Sequence, residues 1–324
     1  MTWPGGGEVA TPANTTVGVV GIGDMGGGIA RSILRAGFPV VVFDLRQDAV
    51  DSLISAGAKA APTLAALADT CDVVLVVVVD DKQVQTVVGT FLRAPGRLRT
   101  IIVNSTVVPR TVVQLNDKAQ TAGLGLVDAP VSGGGEKSAL GTLSVIVGAE
   151  AEVLEQCRPV LEAFGSNLFH VGPVGAGSAG KLVNNLLSLG THVLQLEAMQ
   201  LADAYGISED AATEFITASQ GDSRGIRTWG RIDRIRRTHT LAGTPAMYEI
   251  FAKDLRCAAI AAGDRGVTLP ATGVIAELIG PKMAARDELL RSRPDPGPSP
   301  RCTTCDQELA KPFRVAGTHP ECRT

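Results

Sequence analysis

The sequence predicts a doubly wound α/β domain followed by an all-helical domain. Three observations carry this: valine-rich apolar runs alternate with helix-like segments, a glycine-rich turn follows the first run, and the strand pattern stops after Gly180. The runs lie at 17–20, 40–43, 73–79, 101–103, 126–127, 143–147 and 168–171. Several are continuous rather than alternating, which suits strands of a parallel sheet buried on both faces. The pieces between them, such as 25–36 and 49–56, have helical length and are rich in alanine and leucine. Regular alternation of this kind predicts a doubly wound sheet.

Beyond Gly180 the texture is helical. Residues 181–205 contain no proline and one glycine, and apolar positions recur at helical spacing, which predicts one long helix. Residues 209–218, 247–262 and 273–290 also read as helices. From Arg291 the chain turns proline-rich and reads as a linker to a short cysteine-bearing tail. The expected organisation is a disordered lead over 1–15, an α/β domain over 16–178, a helical domain over 179–290, and a linker with tail over 291–324.

Composition narrows the class. The 324 residues suffice for two sizeable cores, and 45% hydrophobic with 19% charged residues is ordinary for a globular protein. A formal charge of −3 supplies no general attraction to nucleic acid or anionic membrane. The longest apolar run, 73–79, is far shorter than the roughly 20 residues a spanning helix needs. The N-terminal residues have neither a basic start nor an apolar stretch, so no signal peptide is read and a cytoplasmic location is expected. Cys71, Cys157 and Cys257 sit alone in apolar or helical contexts and are expected to be free buried thiols.

The turn Gly21-Ile22-Gly23-Asp24-Met25-Gly26 joins a strand to a helix, and a second strand ends in Asp44. In that context Gly21 permits the tight turn, Gly23 leaves room for a pyrophosphate, and Gly26 lets helix and strand pack closely. The helix N-terminus faces the phosphate charge. Asp44 stands where an acid accepts bonds from the ribose hydroxyls and repels a 2′-phosphate, which favours NAD. Arg46 lies two residues on and can pair with a 2′-phosphate, so NADP stays open. Asp24 is read as pointing outward or helping to cap the helix.

Three further segments matter. They are Asp128-Ala129-Pro130-Val131-Ser132-Gly133-Gly134-Gly135 with Ala139-Leu140-Gly141-Thr142-Leu143, then residues 172–185 ending in Lys181-Leu182-Val183-Asn184-Asn185, and Phe251-Ala252-Lys253-Asp254-Leu255. With the glycine turn, these segments in this order resemble the β-hydroxyacid dehydrogenases, a group that includes 3-hydroxyisobutyrate dehydrogenase and tartronate semialdehyde reductase. The resemblance covers roughly 16–290. It implies a Rossmann-type first domain, a second domain like the C-terminal part of 6-phosphogluconate dehydrogenase, and a homodimer or homotetramer built through the helical half.

The chemistry also follows from the residues themselves. Ser132, Gly133 and Gly134 offer a hydroxyl and exposed N–H groups after a strand, a nest suited to a carboxylate. Lys181 and Asn185 are one helical turn apart and face the same way. A lysine partly desolvated in an interdomain cleft has its pKa lowered and can take the hydroxyl proton as hydride leaves the carbinol carbon. Asn185 would steady the lysine or the substrate oxygen. The resemblance implies these same roles and adds two more. It places Thr106 near nicotinamide and substrate, and Lys253 beside the cofactor, although Lys253 could simply pair with Asp254. His192 is read as a satisfied interhelical histidine. The arginines from Arg224 to Arg237 are read as a solvated face or subunit contact, with Arg224 a less favoured contact for a second anionic group on the substrate.

Cys302, Cys305, His319 and Cys322 have the spacing of a structural Cys₃His zinc site, against the alternative of a metal-free tail. The expected function is hydride transfer between NAD(P) and a small 3-hydroxy acid, with no membrane partner. The competing readings are an imine reductase, disfavoured by Lys181, and a non-catalytic cofactor-binding module with an interaction tail, disfavoured by the intact Lys181 and Ser-Gly-Gly nest. 6-Phosphogluconate dehydrogenase itself is disfavoured by the shorter helical half.

Overall fold

The computed structural model of the chain describes residues 9–238 and 246–291. The cysteine-bearing set Cys302, Cys305, His319 and Cys322 lies outside the described residues. The chain divides into two compact units, one running to Asn184 and including Cys257–Thr268, the other comprising Asn185–Arg256 and Leu269 onward.

In the first unit the elements alternate as β1 (Val17–Val20), α1 (Asp24–Arg35), β2 (Val40–Phe43), α2 (Gln47–Ile54), β3 (Lys59–Ala60), α3 (Leu64–Thr70), β4 (Val73–Val76), α4 (Asp81–Arg93), β5 (Thr100–Val103) and α5 (Pro109–Thr121). They continue as β6 (Gly125–Asp128), β7 (Val131–Ser132), α6 (Gly134–Leu140), β8 (Leu143–Gly148), α7 (Ala151–Glu162) and β9 (Gly165–Gly172). The sheet order is β3-β2-β1-β4-β5-β6-β8-β7, with β9 paired to β8. From β3 to β6 all strands are parallel, in registers such as Val17↔Val40 and Val17↔Val73. The order reverses between β1 and β4, which is where ligands bind in such sheets.

Alternate residues explain why the strands are valine-rich throughout. Val40, Val42, Val73 and Leu75 enter one core, with Ile29, Ile33 and Phe164. Val41, Val74, Val76 and Ile101 enter the other, with Leu67, Val88 and Phe91. Full burial of each such side chain is worth about 1.5–3 kcal/mol, which favours apolar residues on both faces. The lone thiols Cys71, Cys157 and Cys257 are buried and in no disulfide, as their contexts predict.

Four local expectations are corrected. The sheet is mixed, because β8 runs antiparallel to β6 and β7. The run 73–79 is a strand only to Val76. The run 168–171 is part of a longer, partly solvated strand, β9, with Phe169 and Val171 about half exposed. The long helix begins at Ala176, not 181. Its glycines are contact positions, since a Cβ on Gly177 would lie 2.4 Å from the Asp128 carbonyl oxygen and one on Gly180 2.8 Å from Ile146.

The second unit is built from α8 (Ala176–Ala204) beyond Asn184, α9 (Glu209–Thr217), α10 (Arg224–Arg227), α11 (Arg231–Thr238), α12 (Met247–Gly263) up to Arg256, and α13 (Pro270–Arg291). Its core contains Val193, Leu196, Met199, Trp229, Leu255, Ile279 and Met283. Buried Arg286 ties three helices together. Its guanidinium bonds Glu209 at 2.5 Å and Asp233 at 2.9 Å, and lies 5.1 Å from the Trp229 ring centre. His192 is buried here, and desolvation pushes its pKa down to about 4 despite the nearby Asp233. Part of the arginine run is structural: Arg227 pairs with Asp222, and Arg236 with Asp287.

Candidate active site

The glycine turn is shaped by contacts that leave no alternative residue. Gly21 has φ +83°, and a Cβ there would lie 2.3 Å from the Val77 carbonyl oxygen. A Cβ on Gly26 would lie 1.9 Å from the Gly21 carbonyl oxygen. Gly23 differs: its nearest neighbour would be the Arg46 guanidinium at 3.7 Å, so the protein itself does not require glycine there. Open space at this position fits a phosphate passing over the backbone. Gly23 is also the N-cap of α1 and has no side chain with which to cap it. The helix therefore presents its first-turn N–H groups and its positive end there.

Asp44 is braced against this turn. Its Oδ2 accepts the Ile22 N–H at 2.7 Å, and its Oδ1 accepts the Arg46 N–H at 2.9 Å. Each carboxylate oxygen keeps a further lone pair for a ribose hydroxyl. The Arg46 Nε stands 3.6 Å from Asp44 Oδ1, so its guanidinium lies between the acid and Gly23. Asp24 is exposed in the first turn of α1, where an acid complements the helix dipole.

The Ser-Gly-Gly segment follows the short strand β7, whose Ser132 is in register with Ser144 of β8. Gly133 and Gly134 have φ +150° and +80°, a conformation that exposes successive N–H groups. The following helix, α6, is clasped to α1. Ser138 Oγ donates to the Met25 carbonyl at 2.6 Å, Ser32 Oγ donates to the Ser138 carbonyl at 3.0 Å, and Arg35 donates to the Ala139 carbonyl at 2.6 Å. Gly28 makes this approach possible, because its Cβ would meet Ser138 Oγ at 2.4 Å. The phosphate turn and the nest are thereby neighbours on one rim.

Half-buried Thr106 follows β5 on a loop fixed by its two preceding residues. Asn104 Nδ2 donates to the Ala129 carbonyl at 2.6 Å, and Ser105 Oγ accepts the Val78 N–H at 2.9 Å. Lys181 is half-buried in the second turn of α8. The start of that helix is held by Asp128, whose two oxygens accept the Gly175 and Ser178 N–H groups at 2.9 and 2.6 Å. Complete burial pushes the Asp128 pKa up to about 6, against the opposing pull of those bonds.

In the second unit Asn185 Nδ2 donates to Asp254 Oδ2 at 2.7 Å, and Lys253 Nζ lies 2.8 Å from Asp254 Oδ1. Asp254 therefore pairs with Lys253, the alternative the sequence offered, and also fixes the amide orientation of Asn185, which the sequence did not suggest. Asp128 and Ser138 were likewise visible only as motif letters, because their partners lie 47 to 113 residues away.

A turn that fits a dinucleotide, a nest that fits a carboxylate and a lysine on a clamped helix define a nicotinamide-dependent oxidoreductase. The NAD binding domain of 6-phosphogluconate dehydrogenase matches residues 16–172, and the NAD-binding domain of NADP-dependent 3-hydroxyisobutyrate dehydrogenase matches 175–290. The chain is 35% identical to an NAD-dependent L-serine dehydrogenase of Pseudomonas aeruginosa, over 76% of this chain and 85% of that one. It is 33% identical to a 2-(hydroxymethyl)glutarate dehydrogenase of Eubacterium barkeri, over 81% and 87%. A crystal structure of 3-hydroxyisobutyrate dehydrogenase from Salmonella typhimurium superposes with a TM-score of 0.70 at 30% identity, covering 84% of this chain and 95% of that one. The chain belongs to the β-hydroxyacid dehydrogenase family and is an NAD(P)-dependent enzyme. No helix of the described residues is long and apolar enough to cross a membrane.

Proposed function

We propose that this enzyme oxidises a small 3-hydroxy acid of the form HOCH₂–CHR–COO⁻ to the semialdehyde, or reduces it in reverse. The observation that carries this reading is Asp128, which anchors the lysine-bearing helix to the strand end that runs on into the Ser132–Gly133–Gly134 nest. A carboxylate holder and a proton-transfer group are thus attached to one point. L-Serine, 2-(hydroxymethyl)glutarate and 3-hydroxyisobutyrate, named for the relatives, share that core and differ only in R.

In this reading Ser132 and the N–H groups of Gly133 and Gly134 bind the substrate carboxylate. Lys181 Nζ takes the hydroxyl proton in oxidation and returns it in reduction. Bound nicotinamide supplies the hydride acceptor or donor. Thr106 lines the reacting end, Asn185 steadies the lysine or the substrate oxygen, and Lys253 lies beside the cofactor. Gly21 to Gly26 and Asp44 hold NAD, which Asp44 favours over NADP, while Arg46 is the group an NADP phosphate would recruit.

Turnover of these three acids and of L-threonate should be measured with NAD and NADP for wild type and Lys181→Ala. The reading expects NAD-linked turnover by wild type and a loss of about 10²–10⁴-fold in the variant. Equal turnover by both proteins would sink it.

The family resemblance also implies a homo-oligomer. Val183, Leu187, Leu194 and Leu201 form one stripe along α8 and are all more than half exposed. A second copy packed along that stripe would cover it. For Cys302, Cys305, His319 and Cys322 the proposal is a structural zinc, and metal analysis of the purified chain finding none would refute it.

A further inference from the structure

Proton transfer by Lys181 needs the side chain held at a fixed position along α8. Asp128, the last residue of β6, is fully buried and gives both of its oxygens to the first turn of that helix, to Gly175 at 2.9 Å and Ser178 at 2.6 Å. Ser178 precedes Lys181 by three residues, so fixing its N–H fixes the turn that carries the lysine. The joint has no room to slide. A Cβ on Gly148 would lie 2.3 Å from Asp128 Oδ1, and one on Gly177 2.7 Å from the Gly148 nitrogen. On the strand side Ala129 is tied to Asn104, two residues before Thr106.

We propose that Asp128 is a positioning residue for the proton-transfer lysine, and that catalysis requires its carboxylate in the ionised form. The proposal rests on the reading of Lys181 given above. As a carboxylate, Asp128 offers an acceptor to each N–H. Protonated, Asp128 loses its charge and the hydroxyl oxygen becomes a weaker acceptor, so one of the two N–H bonds weakens in a dry site.

Burial pushes the Asp128 pKa to about 6, which brings that change into a reachable pH range. The influences on it are burial and hydrogen bonds, with no charged side chain among them. The titratable group across the joint is His170 of β9, whose Nε2 donates to the Ala149 and Gly172 carbonyls at 3.0 and 3.1 Å. Glutamine can reproduce those bonds. Lys181 acts protonated in the reductive direction, so acid does not deplete its active form.

The test is reduction of tartronate semialdehyde or methylmalonate semialdehyde, whichever wild type reduces, with NADH across the range from about pH 5 to about pH 8. The variants are Asp128→Asn, His170→Gln and Lys181→Ala. Wild-type kcat should be flat near neutrality and fall as pH drops through about 6. Asp128→Asn should lose on the order of 10²-fold in kcat, show no such limb, and keep the KM for NADH. His170→Gln should follow wild type. A wild-type profile flat to the acid end overturns the proposal whether or not Asp128→Asn folds. So does an Asp128→Asn enzyme with wild-type kcat, or a limb that disappears in His170→Gln. Wild-type kcat in Lys181→Ala instead removes the lysine reading itself, a failure seen in a different variant.

Discussion

A methyl group at position 26 would sit 1.9 Å from the Gly21 carbonyl oxygen, with backbone on both sides of the contact. Gly26→Ala must therefore push α1 away from β1, at a cost of about 1–3 kcal/mol. It is also expected to weaken NADH binding, because the same shift withdraws the first-turn N–H groups. Thermal melting and a fluorescence titration check both effects. Arg286 is a second residue whose neighbours decide the outcome. Arg286→Ala leaves the buried Asp233 carboxylate without its guanidinium partner and should lower stability by about 3–5 kcal/mol, measurable by urea unfolding. Only the first effect is legible in the sequence. The partners of Gly26 are five residues away in one turn, whereas those of Arg286 are 53 and 77 residues away.

At the scale of elements, the contact between α1 and α6 joins the two sites proposed for cofactor and substrate. Ser138→Ala removes a buried donor from the Met25 carbonyl and should cost about 1–3 kcal/mol by chemical denaturation. The KM for the hydroxy acid should rise as the nest loosens, while Lys181 stays in place. The strands β1, β2, β4 and β5 were readable because burial on both faces forces continuous apolar sequence. By contrast β7 and α6 looked like one glycine turn. Their formation depends on pairing with β8 and packing on α1, neither of which leaves a local periodicity. The run 168–171 does not reveal that most of β9 stays exposed while it pairs with β8. The stripe on α8 makes a further claim at this scale. Leu187→Lys with Leu194→Lys should convert an oligomer to monomer by light scattering while leaving the helical content intact.

For the whole molecule, acid should act on the two units with opposite sign. His192 belongs to the helical unit, and its pKa is lowered from 6.5 to about 4, so the unfolded chain binds the proton first. Stability from this residue is complete above about pH 6.5 and is lost as pH falls towards 4. Asp128 belongs to the α/β unit, and its pKa is raised from 3.8 to about 6, so the folded state binds the proton first. Its contribution grows as pH falls through 6, even as the clamp on α8 loosens. Calorimetry at acid and neutral pH should show the helical transition moving down and the α/β transition moving up. His192→Gln should cancel the first shift, and Asp128→Asn the second. The division into an α/β half and a helical half was legible from texture alone. The joint was not, because helix α8 runs through it without any break in sequence at Asn184 and Asn185.

The brace between Asp44 and the glycine turn has a consequence for redesigning coenzyme choice. Exchanging the acid at the end of β2 for a small or basic residue is the usual way to admit a 2′-phosphate. Here that exchange would also strip acceptors from the Ile22 and Arg46 amides and let the phosphate-binding turn relax. The selectivity proposed for Asp44 and the bracing of the turn would then rest on the same two oxygen atoms. Asparagine at position 44 keeps one acceptor, sheds the negative charge and frees Arg46 from its partner. It is the replacement by which a switch towards NADP would cost the least in overall binding.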